Sequence, residues 1–128
     1  MQLLLDTHAL IWWVSDNPAL SAAAYDAIAD AENQVFVSAA SAWEIATKHR
    51  LGKLPVTGLL AGDLAKAIAG EGFVELPISV REGQAAGNLP GPHRDPFDRM
   101  LISQALAQSL TLVSNERFFD RYGVARLW

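Results

Sequence analysis

With 128 residues, no cysteine and a formal net charge of −4, the chain suits one domain over residues 1–128 with its own core, and disulfides and thiolate metal sites are excluded. Its 51% hydrophobic and 19% charged residues exclude disorder, and the acidic balance argues against a general nucleic-acid binder. No apolar run approaches the roughly 18 residues that span a bilayer, and "MQLLLDTHALIWW" lacks the basic flank and cleavage site of a signal peptide, so a soluble cytoplasmic protein with no membrane partner is expected.

Residues 2–5, "QLLL", form a short apolar run before "DTH", which predicts a buried strand ending in a turn. "THALIWWVS" predicts a helix whose apolar residues wrap more than one face. Trp12 and Trp13 are adjacent and cannot share a face. Either one packs inside while the other meets a partner, or both are buried. "NPALSAAAYDAIADAEN" carries a second helix with Ser21 as N-cap. "QVFVS", 34–38, is a second strand. "SAWEIATKHRLGK", 41–53, is a third helix, ending near Gly52 in a basic turn that suits the helix dipole. "TGLLAGDLAKAIAGEG", 57–72, reads as a fourth, weakened by its glycines. "FVELP", 73–77, is a third strand, and "SVREGQAAGNL" a short helix with Ser79 and Glu82 spaced as a capping box. The loop "PGPHRDP" leads into the strong helix "FDRMLISQALAQSL". "TLVS", 111–114, is a fourth strand, "NERFFDRYG" a short helix and "VARLW" a final strand.

Strands alternating with helices predict a three-layer α/β/α sandwich around a mainly parallel sheet. Strands without polar alternation agree. Ligands of such sheets sit at the carboxyl ends of the strands, near a topological switch point. Four acids fall at that kind of place. Asp6 follows "LLL", Glu44 lies in the first turns after "VFVS", Asp98 in the first turns of "PFDRMLISQA", and Glu116 just after "TLVSN".

Each acid alone has a second explanation. Asp6 suits an N-cap, Glu44 completes "SAWE" as a capping box with Ser41, and Glu116 is a first-turn acid after a Ser114 cap. Asp95, with Pro96 at the first helical position, reads as an N-cap, which puts Asp98 where an acid also helps the dipole. The recurrence on four elements is the informative pattern. Converging carboxylates repel, and a hard divalent cation, Mg²⁺ or Mn²⁺, offsets that with oxygen ligands. With no cysteine and only His8, His49 and His93, zinc is poorly supported. An ion so held activates water and stabilises charge on a phosphoryl oxygen, chemistry that suits phosphodiester hydrolysis.

The cations are uneven: seven acids and three bases through residue 64, seven of each beyond it. "KHRLGK", 48–53, is one basic group; Arg94, Arg99, Arg117, Arg121 and Arg126 form another. Arg94 or Arg99 could pair bidentately with a phosphate, or form a surface ion pair with Asp95.

On these residues the chain resembles the PIN domain and, within it, the VapC-type ribonuclease toxins of toxin–antitoxin pairs. "LLLDTHALIWW" matches the opening strand and first acid, "VSAASAWEIATKHRLGKL" the second acid, "HRDPFDRMLISQA" the third, with Asp95 an extra acid common in this subgroup, and "LVSNERFF" the fourth block. In that block the family usually has Thr or Ser, a polar residue and Asp; here stand Ser114, Asn115 and the longer Glu116. The resemblance implies a Mg²⁺- or Mn²⁺-dependent endoribonuclease. Asp6, Glu44 and Asp98 would hold the metal, Glu116 would join directly or through water, and Thr7 and Ser114 would help order the water. It also implies an RNA substrate, a cognate antitoxin and a homodimer or a higher toxin–antitoxin assembly. One rival is a non-catalytic module of the same fold that binds protein or RNA. Another is a haloacid-dehalogenase-like phosphatase with Asp6 as nucleophile, but His8 stands where its second aspartate belongs.

Overall fold

Leu3, Leu4 and Leu5 are all fully buried, and they set the architecture. A strand with no polar face needs cover on both sides. In the computed structural model, which describes residues 1–54, 60 and 62–128, that strand is β1 (Gln2–Leu5). The others are β2 (Gln34–Ser38), β3 (Val74–Leu76), β4 (Thr111–Val113) and β5 (Arg126–Leu127). All pair in parallel, in the order β3-β2-β1-β4-β5, with β1 central.

The helices are α1 (Thr7–Val14), α2 (Ala22–Ala29), α3 (Ala39–Arg50), α4 (Leu64–Gly70), α5 (Val80–Asn88) and α6 (Pro96–Gln108), with a 3₁₀ helix, η1, at Arg117–Tyr122. Leu3, Leu5, Val35 and Val37 face Leu10 of α1, Ile28 of α2, Ile45 of α3 and Ile68 of α4. Leu4, Leu76 and Leu112 face Leu101 and Ile102 of α6, with Phe119. Alternate residues of one apolar strand thus serve two cores, and the result is the expected α/β/α sandwich. Among the described residues, no helix is long and apolar enough to cross a membrane.

The helix starts follow side-chain caps. Ser21 accepts from Ala24 N–H at 3.1 Å, and Ser79 and Glu82 form the reciprocal capping box. Asp95 caps α6 through the N–H groups of Phe97 and Asp98, at 2.9 and 3.1 Å, with Pro96 in the first turn. The expected Ser41–Glu44 capping box does not form. Ser38 caps α3, accepting from Ala40 N–H at 3.0 Å, so the helix begins two residues earlier than expected. Ser41 and Glu44 are therefore interior helix residues, and both are buried. The expected helix over 57–72 is described over Leu64–Gly70; residues 57–59 and 61 lie outside the described residues. Trp12 and Trp13 match neither alternative fully, because both are half-buried. Trp12 packs against Trp128 and His8, and Trp13 against Tyr25 and Phe73.

Chain order reverses at β1: β2 and β3 lie on one side of it, β4 and β5 on the other. Leu5 pairs with both Val37 and Val113. Asp6, Ser38 and Ser114 therefore stand side by side, one residue further along three adjacent strands, at the switch point.

A buried amide fixes the layers there. Gln104 of α6 is fully enclosed. Its Oε1 accepts from Ser38 Oγ at 2.5 Å, and its Nε2 donates to the Pro77 carbonyl at 3.2 Å. It thus joins α6 to the ends of β2 and β3. Gln104→Leu keeps most of the volume but deprives the Ser38 hydroxyl proton and the Pro77 carbonyl of this partner, at a cost of about 2 kcal/mol. Urea unfolding should show that loss of stability; a variant as stable as the parent contradicts the role.

Candidate active site

The buried acids at this edge come from different elements. Asp6 is the N-cap of α1, with Oδ1 accepting from Ala9 N–H at 2.8 Å. Burial pushes its carboxyl above the ordinary value. The Ser114 hydroxyl, the Ala9 N–H and His8 pull it back down, and the Glu116 charge adds to the rise. Ser114 Oγ also accepts from Glu116 N–H at 3.0 Å, so one hydroxyl ties the β4 end to Asp6. The Ser114 carbonyl is held in turn by Arg126 Nη1 at 3.0 Å, and Arg126 pairs with Asp120.

Glu44, 4% exposed, points from α3 toward α1. Its Oε1 accepts from the Thr7 hydroxyl at 2.5 Å, and Thr7 Oγ1 lies 3.1 Å from Ser41 Oγ. Because Thr7 follows Asp6, this bond ties the first acid's loop to the second acid. Glu44 Oε2 takes the ammonium of Lys48, one helical turn on. Burial works to lower the pKa of Lys48, but Glu44, with Asp95 and Asp98 nearby, raises it overall.

Asp98 belongs to the first turn of α6, with its side chain 25% exposed and Oδ2 3.0 Å from His93 Nε2. Burial first, then the Asp95 and Glu44 charges, push its carboxyl up to about 6, against the opposing pull of His93. Glu44, Asp95 and Asp98 thus share one field with Lys48, while Asp6 shares another with Glu116. Thr7 joins the two groups. The acids line one edge, yet among the described residues no three His, Asp or Glu side chains draw close enough to enclose a metal ion. Mutual repulsion favours that spacing, and Lys48 supplies positive charge beside Glu44.

Glu116 and Asn115 are exposed, and Glu116 makes no side-chain cap to η1. Arg94 is exposed on the loop before α6. Arg99 is committed elsewhere. Its guanidinium donates to the carbonyls of Ala86 at 3.0 Å, His93 at 2.9 Å and Gly87 at 3.3 Å, and also to Leu89. Four of its five N–H groups are used on the end of α5 and the α5–α6 loop, and it forms no ion pair with Asp95. Sequence reasoning missed three residues. Lys48 had a signal, since it stands four residues after Glu44 on a helix. Ser41 was read as a cap, and His93 had no signal beyond its place in the loop.

A PIN domain family model matches residues 3–125. No curated protein matches the chain. Among solved structures, VapBC2 from Rickettsia felis, bound to a DNA fragment from its promoter, is similar at 17% identity and TM-score 0.70, over 99% of this chain and 98% of that one. FitAcB from Neisseria gonorrhoeae is similar at 18% identity and TM-score 0.65, over 98% of this chain and 96% of that one. VapBC-1 from nontypeable Haemophilus influenzae is similar at 15% identity and TM-score 0.63, over 99% and 97%.

Asp98 generates a stability prediction. Its carboxyl holds a proton more tightly in the folded chain than the ordinary value of 3.8 allows when unfolded. The resulting stabilisation is present below pH ~4 and is lost as pH rises through ~6. Above that, the ionised group opposes folding by about 3 kcal/mol. In EDTA, Asp98→Asn should raise the thermal midpoint by about 10 °C at pH 7.5 and leave it unchanged at pH 4. Equal effects at both pH values contradict the raised pKa.

Proposed function

This chain belongs to the PIN domain family, and from that premise we propose that it is a divalent-metal-dependent endoribonuclease, the toxin of a VapC-type toxin–antitoxin pair. What supports the reading is that Asp6, Glu44 and Asp98 stand on three elements, Asp6 capping the helix after the central strand and Glu44 and Asp98 in the early turns of α3 and α6, around the switch point of a parallel sheet.

The donor chemistry fits Mg²⁺ or Mn²⁺. The side chains are hard oxygen donors, and the raised pKa values of Asp6 and Asp98 are a cost that a nearby cation removes. Asp6, Glu44 and Asp98 would hold the ion, with Glu116 joining directly or through water. When bound, such an ion supplies Lewis acidity toward a phosphoryl oxygen and an acidified water. The chain's own residues do the positioning. Thr7 orients Glu44, Ser114 orients Asp6, and His93 orients Asp98. Lys48 has a flexible stem, and its ammonium can leave Glu44 for an RNA phosphate. Arg94, exposed on the loop that ends at Asp95, is a second cation for the same phosphate charge.

The likeness to VapBC and FitAcB chains supports a cognate antitoxin as partner. Trp43, 61% exposed, and Val80, 91% exposed, offer apolar surface for a homodimer or for the antitoxin. A second reading, a non-catalytic binding module, draws on one observation: both Glu44 oxygens are already engaged, by Thr7 and Lys48.

Incubation of the free protein with RNA, in Mg²⁺ or in EDTA, separates the two. We expect cleavage in Mg²⁺ only. Asp6→Asn should lower it at least a hundredfold while circular dichroism stays unchanged, because asparagine caps helices as well as aspartate. Cleavage that survives EDTA contradicts the metal chemistry, and no cleavage of any RNA favours the binding module.

A further inference from the structure

Beside the acids lies a cavity of about 420 Å³, a volume in the range of small-ligand sites. Pro90, Pro92, His93, Phe118 and Tyr122 wall it, and Arg121 contributes a guanidinium. His93 connects it to the acidic edge. One side of the residue is bonded to Asp98 at 3.0 Å, and its ring stacks on Phe118 with centroids 4.1 Å apart and planes at 29°. Anything in the cavity therefore sits one imidazole away from Asp98.

The cavity is built in advance. Arg99 grips the carbonyls at both ends of the wall-forming loop, Leu89 and His93. Gly91, at φ +96°, lets that loop approach Tyr122 so closely that a Cβ would stand 2.9 Å from the tyrosine oxygen. The walls are flat and apolar, with cationic and hydroxyl groups beside them. That combination suits a planar, polar-edged ring attached to a phosphate chain. Unpaired RNA bases are recognised in this way, by stacking on aromatic side chains and guanidinium planes.

We propose that this cavity is a subsite for one unpaired nucleobase of the RNA, next to the phosphate that is cut. The proposal rests on the ribonuclease reading and adds to it a source of sequence preference. Tyr122 supplies the aromatic surface, backed by Phe118, whose ring lies between His93 and Phe119, and Arg121 meets the base or its phosphate.

The test uses a short single-stranded RNA carrying one 2-aminopurine, whose fluorescence is quenched by stacking, and protein made inactive by Asp6→Asn. Binding should quench the probe. Adding Tyr122→Leu, which keeps apolar volume but removes the ring, should weaken binding about tenfold and abolish much of the quenching. Arg121→Ala, at an exposed position with little bearing on the fold, should weaken binding in the same direction. Unchanged affinity and quenching in both variants overturn the proposal, as does a cavity that accepts only a protein partner's side chain and leaves RNA binding unaltered. Cleavage by the otherwise native chain keeps the two claims apart. Binding and quenching without cleavage preserve the subsite and remove the nuclease. Cleavage with KM and site preference unmoved by either substitution preserves the nuclease and removes the subsite.

Discussion

Carboxylates taken out of water beside one another raise each other's energy, and this structure places several at one edge. Desolvation and like charge act together on Asp98, and burial acts on Asp6. The fold tolerates that cost because each acid is held by a neutral or cationic partner from another element. Thr7 of α1 bonds Glu44 of α3, Ser114 just past β4 bonds Asp6, His93 bonds Asp98, and Lys48 meets Glu44. Thr7 and Ser114 reach their acids from distant chain segments that the sheet brings together, whereas Lys48 and His93 stand four and five residues from theirs.

Around this edge, buried polar groups serve geometry more than stability. Gln104 clamps α6 to the ends of β2 and β3, Arg99 fastens the loop that carries His93, and Arg126 holds the end of β4. None of the three touches the acids directly. Each fixes the backbone from which an acid or its partner projects. A site strained by its own charges needs such support, and natural proteins accept lower stability where function requires it.

Much of this was legible in the sequence because it rests on local chemistry. "QLLL" ahead of Asp6 announces a doubly covered strand with an acid at its end, and the Ser79–Glu82 box and the Asp95–Pro96 start need only neighbouring residues. The α3 boundary was misread because two serines compete: Ser38 wins by its position at the end of β2, where Gln104 is also within reach. The carbonyl contacts of Arg99 were not legible because its partners lie 6 to 13 residues earlier, at the end of α5 and on a loop whose path no periodicity reveals. The closing helix was expected but not its 3₁₀ form, and the final strand shrank to Arg126–Leu127. Spatial partners such as His93 with Phe118 have no sequence signal at all.

Calorimetric titration of Mn²⁺ into the protein and into Asp6→Asn, Glu44→Gln and Asp98→Asn bears most directly on the account. One shared ion site predicts that each substitution alone weakens the same binding event at least tenfold while the fold persists. Undiminished affinity in any one of the three would separate that carboxylate from the others and contradict a common site.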